Sequence, residues 1–359
     1  MAALILWRNV AYFVCPHALS DDMQTISEYY ESGRNNFHLI RLVSALAVIY
    51  GHSYALTGQP GSDIFLRYVG YKFIGGVAVN VFFVISGFLI AASLERSSIR
   101  RFVAARILRI YPALLVCVAL CVFVLGPLLT TNPSYWSNRE TWRYFLRNGL
   151  LIDTEYRLPG VFLSLRDQGV NGSLWSLPVE VRLYGLFLLL SLCRLFSPRR
   201  YAPLALVAIV VGYFAAPNIP VMVAYANWVD SAMFFLAGGF VWHFRDSISL
   251  NYPTLAVLLV AGALVIHTDR FGAVYFLLLV YLTFFIAFVP QIIRIRQTDL
   301  SYGIYLYGWP AQQLVQLFRH CTSALENTMY ACALALCLAF MSWKLIEQPA
   351  LSLKRLFKN

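Results

Sequence analysis

The sequence predicts an all-α polytopic membrane protein with about ten transmembrane helices and both termini in the cytoplasm. Hydrophobic residues make up 60% of the 359 residues and charged residues only 13%, and the mean hydropathy is +0.66. Soluble domains are far less apolar than this. Apolar runs of about 20 residues, the length that crosses a bilayer, recur along nearly the whole chain, and no soluble domain fits between them.

The apolar runs divide the chain into candidate spans, of which the fifth and seventh are short. We place them at residues 38–57, 76–94, 110–130, 175–196, 201–216, 225–243, 252–267, 271–289, 300–318 and 328–346. Loops rich in Lys and Arg stay in the cytoplasm, so the basic segments between the spans predict the orientation.

Three basic segments follow even-numbered spans: ERSSIRRFVAARILR, CRLFSPRR and IRIRQ. If these segments are cytoplasmic, the number of spans is even, both termini lie inside, and residues 131–174 form an external loop. The formal charge of +11 is then a topology signal. No soluble basic face is visible, which argues against a nucleic-acid partner.

The chain divides into three parts. Residues 1–35 are predicted to be a cytoplasmic or interfacial segment, since MAALILWRNVAYFV is too short to span and contains Arg8, and Met23 is an alternative start. Residues 36–349 form the transmembrane domain, and residues 350–359 form a basic cytoplasmic tail. The seven cysteines lie mostly in apolar runs without a C-x-x-C pair, so we expect buried apolar residues and no metal site.

Two ionisable residues lie on the first predicted span, RLVSALAVIYGH. Arg41 and His52 are eleven residues apart, which is about 1100° of rotation, so both face the same direction with a rise of about 16 Å. A cation at the cytoplasmic edge and a titratable ring at depth predict a ligand that is anionic at one end and reacts at the other. The alternative is that Arg41 is a positive-inside anchor and His52 bonds a neighbouring helix.

A second basic pair, Arg106 and Arg109, lies one helical turn apart just before Pro112, in the predicted cytoplasmic loop. Guanidinium forks suit phosphate oxygens, so the pair predicts a phosphate-binding site. Topology alone explains basic residues here but does not require this spacing.

The fourth predicted span begins in GVNGSLWSLPVEVRLYG. Glu180 and Tyr184 share a helix face by their i, i+4 spacing, while Arg182 points away from both. We expect the Glu180 carboxylate to hold the His52 imidazole in one tautomer and to support its positive charge. A buried ion pair between Glu180 and an arginine is the alternative.

These motifs together resemble the acyltransferase family 3 membrane proteins, whose bacterial members O-acetylate surface polysaccharides and O-antigens with acetyl-CoA. The matching motifs are the R-x10-H of Arg41 and His52, FFVISGFLI at 82–90, the R-x-x-R of Arg106 and Arg109, NGSLWSLPVE at 171–180, SYGIYL at 301–306 and EQP at 347–349. Each motif alone is weak, but together, in this order on predicted spans, they are specific.

The resemblance implies a multi-pass protein of the bacterial cytoplasmic (inner) membrane. It also implies an acetyl-CoA or other acyl-CoA donor, a catalytic histidine at His52, and phosphate-binding arginines at Arg41, Arg106 and Arg109. The acceptor it implies is an extracytoplasmic polysaccharide or lipid-linked glycan. Many relatives carry a histidine shortly after S-Y-x-x-Y-L, where this chain has Gly308. The chain ends soon after the tenth span, so we expect the membrane domain and its outer loops alone to meet the acceptor.

Four further residues complete the predicted site. Ser86 is expected to donate a hydrogen bond to the thioester oxygen, and Tyr302 is expected either to lie on the donor side or to be structural. Trp175 is expected to contact the acceptor, and Asp230, near the outer face, either to contact the acceptor or to orient His52. His52 itself fits two roles, a general base for a sugar hydroxyl or a nucleophile that forms an acyl-imidazole. Helix packing is the alternative for Ser86.

Two other classes of protein compete with an enzyme. Interior charged residues also line transporters, but a transporter predicts an internal repeat with interrupted helices in matching halves. The sequence shows no five-plus-five similarity, and Pro178 and Pro310 do not fall at equivalent places. A non-catalytic subunit of a polysaccharide exporter predicts that His52→Ala leaves function intact.

Overall fold

The computed structural model describes residues 24–33, 35–215, 218–290 and 298–357. Within these ranges the chain is helical and has no strand, and one isolated antiparallel bridge joins Thr25 to Ser249. The predictions for the first 23 residues, including the alternative start, lie outside the described residues.

Helices follow one another along the whole described chain. The α-helices are α1 Ile26–Glu31, α2 Phe37–Leu56, α3 Ile64–Val69, α4 Ile74–Arg96, α5 Ile99–Ala119, α6 Gly126–Leu129, α7 Arg139–Gly149, α8 Ser176–Leu192, α9 Pro198–Phe214, α10 Pro220–Ala224, α11 Ala226–His243, α12 Tyr252–Val265, α13 Phe271–Phe288, α14 Ser301–Arg319, α15 Ala324–Ser342 and α16 Gln348–Ser352. Two π-helical segments, Leu120–Leu125 and Trp343–Glu347, and two 3₁₀ segments, Gly172–Trp175 and Leu353–Phe357, extend these helices.

Some of these helices have the length and composition of membrane spans. In the described ranges, six helical segments are long and apolar enough to cross a bilayer: Phe37–Leu56, Ile74–Arg96, Ile99–Leu129, Gly172–Leu192, Phe271–Phe288 and Ala324–Phe357. A helix also lies at each other predicted span, but α9 and α12 have only 17 and 14 residues. The all-α membrane class is therefore supported, while the count of ten spans and the cytoplasmic termini stay predictions.

The third predicted span starts at the wrong residue. Its helix begins at Ile99 rather than near 110, and it continues through Pro112 and a π-helical stretch to Leu129. Ser98 has an extended backbone, so the helix starts directly after it. Arg106 and Arg109 therefore lie on a helix and not in a loop, which fixes their side chains on one face.

The polar helix α14 lies in the interior of the helix assembly. Its buried residues run without a break from Ser301 to Gln313, and it packs against α2 and α15. Because its polar side chains meet protein rather than lipid, it does not need the apolar composition of a lipid-facing span.

A buried amide network sets the rotation of α2 against α14 and α15. Gln312 Nε2 donates to Ser53 Oγ and to the Ile49 carbonyl, both at 2.8 Å, and Ser53 Oγ donates to Asn327 Oδ1 at 3.0 Å. All three side chains are almost fully buried. Buried polar networks with satisfied partners hold helices in one register, so the direction of the neighbouring His52 is fixed.

A close helix contact positions the wall of the site. A Cβ atom added to Gly87 of α4 would collide with the Phe235 carbonyl of α11, and one added to Gly238 of α11 would collide with the Val84 carbonyl. The two glycines therefore allow the α4 and α11 backbones to touch, as small residues do in membrane helix pairs. The contact holds the segment of α4 that carries Ser86.

Candidate active site

Asp299 joins two of the predicted phosphate-binding arginines. Its Oδ2 lies 2.6 Å from Arg109 Nη2 and 3.1 Å from Arg41 Nη1, and its Oδ1 accepts from Ser301 Oγ at 2.5 Å. Burial by itself raises the pKa of the Asp299 carboxyl, but the guanidiniums of Arg41 and Arg109 hold that pKa well below its usual range. Asp299 is therefore the anionic centre of this end of the site.

Glu347 extends the same network. Its Oε2 lies 3.4 Å from Arg109 Nη1, and its Oε1 accepts from Ser342 Oγ at 3.1 Å. Arg109 thus lies between two carboxylates that belong to distant parts of the chain. The motifs R-x10-H, R-x-x-R, S-Y-x-x-Y-L and EQP meet at this one cluster.

Arg106 is not part of this ion network. Its Nε is buried and has no hydrogen-bond partner among the described residues, and its guanidinium carbon lies 6.0 Å from the centre of the Phe102 ring. A buried donor without a partner is costly, so the position favours an anionic ligand. Of the three predicted phosphate-binding arginines, Arg41 and Arg109 are paired with Asp299, and Arg106 is the one with a buried, unpaired Nε among the described residues.

A pocket opens beside Arg41 at the junction of α2, α4, α8 and α14. Its empty space, which includes the part open to solvent, is about 450 Å³, and it is lined by Arg41, Val79, Phe82, Phe83, Ser86, Ser176, Leu177, Glu180, Ser301, Tyr302 and Tyr305. Four residues that the sequence predicted for the site, Arg41, Ser86, Glu180 and Tyr302, are therefore brought together. The pocket has one apolar wall on α4 and a polar wall on α8 and α14.

Glu180 has different neighbours from those we expected. Its Oε1 accepts hydrogen bonds from Ser86 Oγ at 2.9 Å and from the Tyr184 hydroxyl. Glu180 and Tyr184 do share a helix face, but no hydrogen bond joins Glu180 to His52 in the described ranges. Glu180 points toward α4 because Ser86 lies opposite it, and the Ser86 hydroxyl is directed at this carboxylate rather than at an oxyanion position.

His52 lies between two aromatic side chains. Its ring is in edge contact with Trp309, with the ring centres 4.8 Å apart, and its centre lies 5.4 Å from that of Phe73. Neither ring nitrogen has a hydrogen-bond partner within the described parts of the chain. Both nitrogens therefore keep their capacity for a substrate or for water.

The loop above His52 is fastened to α14. Trp309 Nε1 donates to the Gly169 carbonyl at 2.9 Å, and Gln313 Nε2 donates to the carbonyls of Asp167 and Gly169 at 2.7 Å. The Asp167 carboxylate accepts from the Gly169 amide at 2.7 Å and is the acidic group that interacts electrostatically with His52. Asp167 was not among the predicted residues, and its charge acts on His52 although no hydrogen bond joins the two side chains.

The remaining predicted residues contact partners other than His52. Tyr302 donates its hydroxyl to the Ile110 carbonyl at 2.8 Å, and its ring centre lies 5.4 Å from the Arg109 guanidinium. Asp230 forms an ion pair with Lys72 at 2.6 Å. Trp175 is half-buried and packs against the main hydrophobic core. In the described part of the chain, no group of three or more His, Cys, Asp or Glu residues is arranged to hold a metal ion.

Comparison with known proteins places this arrangement in a family. A family model described as an acyltransferase domain, that of acyltransferase family 3, matches residues 34–345. The chain belongs to this acyltransferase family. The motif resemblance found in the sequence is thereby confirmed.

Two known proteins align with nearly the whole chain. One is an O-acetyl transferase of Shigella phage Sf6, 28% identical over 328 residues, which cover 89% of this chain and 96% of the relative. The other is nodulation protein 10 of Rhizobium leguminosarum bv. viciae, 26% identical over 376 residues, which cover 91% of this chain and 96% of the relative. No solved structure gives a significant match.

Helix α2 of this acyltransferase carries two regions of the candidate site. Arg41 reaches the ion cluster and the pocket at one end of α2, and His52 contacts Trp309 eleven residues later, about 16 Å along the helix. One region has the chemistry of an anion site, and the other has a free imidazole beside a carboxylate. The arrangement is suited to a long substrate with an anionic end and a reactive end.

Proposed function

We propose that this protein transfers an acyl group, acetyl by default, from cytoplasmic acyl-CoA to a hydroxyl of an extracytoplasmic or lipid-linked polysaccharide in the bacterial cytoplasmic membrane. The observation that supports the proposal is the placement of Arg41 in the pocket and of His52 beside Trp309 on the same helix. The phage relative, which is an O-acetyl transferase, supports the same reaction class.

The donor is proposed to bind with its phosphates at the arginines. Arg106, with its unpaired Nε, and the paired Arg41 and Arg109 supply three guanidiniums against the carboxylates of Asp299 and Glu347. The cluster therefore keeps a surplus of positive charge for phosphate oxygens. The uncharged pantetheine arm then extends through the pocket toward His52.

His52 is proposed to act on the acyl group or on the acceptor. As a general base, it takes the proton from the sugar hydroxyl while the oxygen attacks the thioester carbonyl, the C–S bond breaks, and CoA leaves as the thiol. As a nucleophile, it attacks the thioester carbonyl, the C–S bond breaks, and CoA leaves as the thiol to give an acyl-imidazole. The sugar hydroxyl then attacks that acyl group, the C–N bond breaks, and the hydroxyl proton returns to the imidazole. Rapid quenching of the enzyme with acetyl-CoA alone separates the two routes, because only the second accumulates an acetylated histidine.

Arg106→Ala is expected to raise the KM for acetyl-CoA about 10-fold with little change in kcat, because it removes binding that substrate and transition state share. Arg106→Lys is expected to recover only part of this loss, since lysine lacks the planar fork. Arg101→Ala, an exposed arginine on the same helix, is the matched control. An unchanged KM in Arg106→Ala would show that the donor phosphates bind elsewhere.

Asp167→Asn is expected to lower kcat about 10-fold while the KM for acetyl-CoA stays unchanged, because the imidazolium that forms during transfer loses its nearby carboxylate. Asp167→Glu should retain most of the activity. Asp153→Asn, in the same external loop and 61% exposed, controls for general charge effects. A wild-type kcat in Asp167→Asn would show that the Asp167 carboxylate does not support the imidazolium of His52.

A further inference from the structure

Glu180 is a carboxylate held in one orientation inside the pocket. Ser86 and Tyr184 both donate to its Oε1, whereas Oε2 has no hydrogen-bond partner and forms no ion pair among the described residues. Glu180 lines the pocket together with Arg41 at the inner end and Tyr305 deeper in α14. One carboxylate oxygen is therefore occupied, and the other is available to a ligand.

Oε2 offers a ligand a hydrogen-bond acceptor. When a ligand fills the pocket and displaces water, this oxygen needs a hydrogen-bond donor from the ligand, because no described side chain bonds to it. The facing wall consists of Val79, Phe82 and Phe83, which suits methylene and methyl groups. The pocket therefore fits an uncharged chain that alternates apolar segments with N–H donors.

We propose that Glu180 binds an amide N–H of the pantetheine arm of acyl-CoA. The proposal rests on the proposed function, since the pantetheine arm enters this pocket only if acyl-CoA is the donor. Pantetheine has two secondary amides joined by methylene groups, which matches the pocket chemistry. Glu180 then contributes to donor binding, and the support of His52 belongs to Asp167.

Because Ser86 and Tyr184 both bond to Oε1, we expect that glutamine does not replace Glu180. A glutamine side chain has a single carbonyl oxygen, and the hydroxyls of Ser86 and Tyr184 both require it as their acceptor. The amide NH₂ of the glutamine would then point into the pocket, where it would meet another N–H donor. Glu180→Gln therefore removes the acceptor and introduces a donor at the same place.

The test compares two ligands by isothermal titration of the full-length protein in detergent. CoA carries the pantetheine arm, whereas adenosine 3′,5′-bisphosphate carries phosphates without it. Glu180→Gln is expected to weaken CoA binding about 10-fold, as for the loss of one charge-assisted hydrogen bond, and to leave bisphosphate binding unchanged. Arg106→Ala is expected to weaken the binding of both ligands.

Further variants keep the test decisive. Glu180→Asp retains the charge but withdraws the carboxylate by one methylene, and the same selective loss of CoA binding is expected. Glu140→Gln, a carboxylate 54% exposed on α7, should bind both ligands as the wild type does. Unchanged bisphosphate binding by the Glu180 variants shows that they are folded.

The outcomes distinguish a failure of acyl-CoA as the donor from a failure of the role of Glu180. Wild-type protein that binds neither ligand would overturn the proposed donor, and with it this assignment. Wild-type protein that binds CoA, together with Glu180 variants that lose both ligands equally or lose neither, would overturn the role of Glu180 alone. Selective loss of CoA binding supports the assignment.

Discussion

Replacing His52 by alanine is expected to reduce acyl transfer about 10³-fold, which is the largest effect of any single substitution in the site. The imidazole is the titratable group in contact with Trp309, and its ring nitrogens have no protein partner in the described residues. Either proposed route requires this ring, as a base or as a nucleophile. Acetyl-CoA binding should remain close to wild type, because the proposed donor site lies at the other end of α2.

The measurement for His52 is the O-acetyl content of surface glycan from cells that lack the protein and are complemented with each variant at matched membrane levels. His320→Asn is the control, since His320 is exposed and asparagine tolerates its left-handed backbone, with φ at 50°. Restoration by wild type and the control, but not by His52→Ala, is expected. Equal restoration by His52→Ala would favour a non-catalytic role in polysaccharide export.

Replacing Asp299 by alanine is expected to destabilise the protein by about 3–5 kcal/mol, because it leaves two guanidiniums facing each other without their shared carboxylate. The Asp299 side chain is only 7% exposed, and Arg109 and Arg41 are 15% and 22% exposed. Thermal unfolding in detergent measures this loss. Asp246→Ala, which removes a surface carboxylate, should have the same Tm as the wild type. A wild-type Tm in Asp299→Ala would show that the cluster contributes nothing to stability.

Acid provides an independent check on Asp299. Because its folded pKa lies well below the usual carboxyl range, its contribution to stability is present above the unfolded pKa of about 4 and is lost as the pH falls toward the folded value. The difference in Tm between wild type and Asp299→Asn should therefore be constant near neutral pH and narrow only below about pH 4. A difference that disappears near neutral pH would show that the carboxylate is not held by the arginines.

Helical periodicity and hydropathy were sufficient to place a helix at each predicted span, since both are local properties of the chain. They misplaced the start of α5 because its arginines lower the local hydropathy, although a helix continues through them at the membrane edge. Periodicity and hydropathy also do not identify α14 as an interior helix. Its tyrosines, tryptophan and glutamines face protein, which depends on the packing of its neighbours.

The site was predictable where its residues share a helix. Arg41 with His52, and Glu180 with Tyr184, follow from helix geometry alone. The partners across helices were not predictable, because Asp299 meets arginines that lie 258 and 190 residues away in the chain. The same limit explains why Glu180 was assigned to His52.

Two local signals were available for the missed carboxylates. Asp299 stands two residues before SYGIYL, at the entry to a predicted span, where an unpaired carboxylate is costly and a cationic partner is expected. Asp167 lies in the polar loop that precedes NGSLW. Neither position reveals its partner, since loop conformation depends on contacts such as those of Gln313 and Trp309.

The most direct test of acyl transfer across the membrane uses inside-out membrane vesicles that retain the native glycan. Acetyl-CoA labelled in the acetyl group is added to the exposed cytoplasmic face, and label in the glycan is measured for wild type, Arg106→Ala and vesicles without the protein. The proposed reaction predicts glycan labelling that requires the protein and falls in Arg106→Ala at low donor concentration. Equal labelling of the glycan with and without the protein would contradict it.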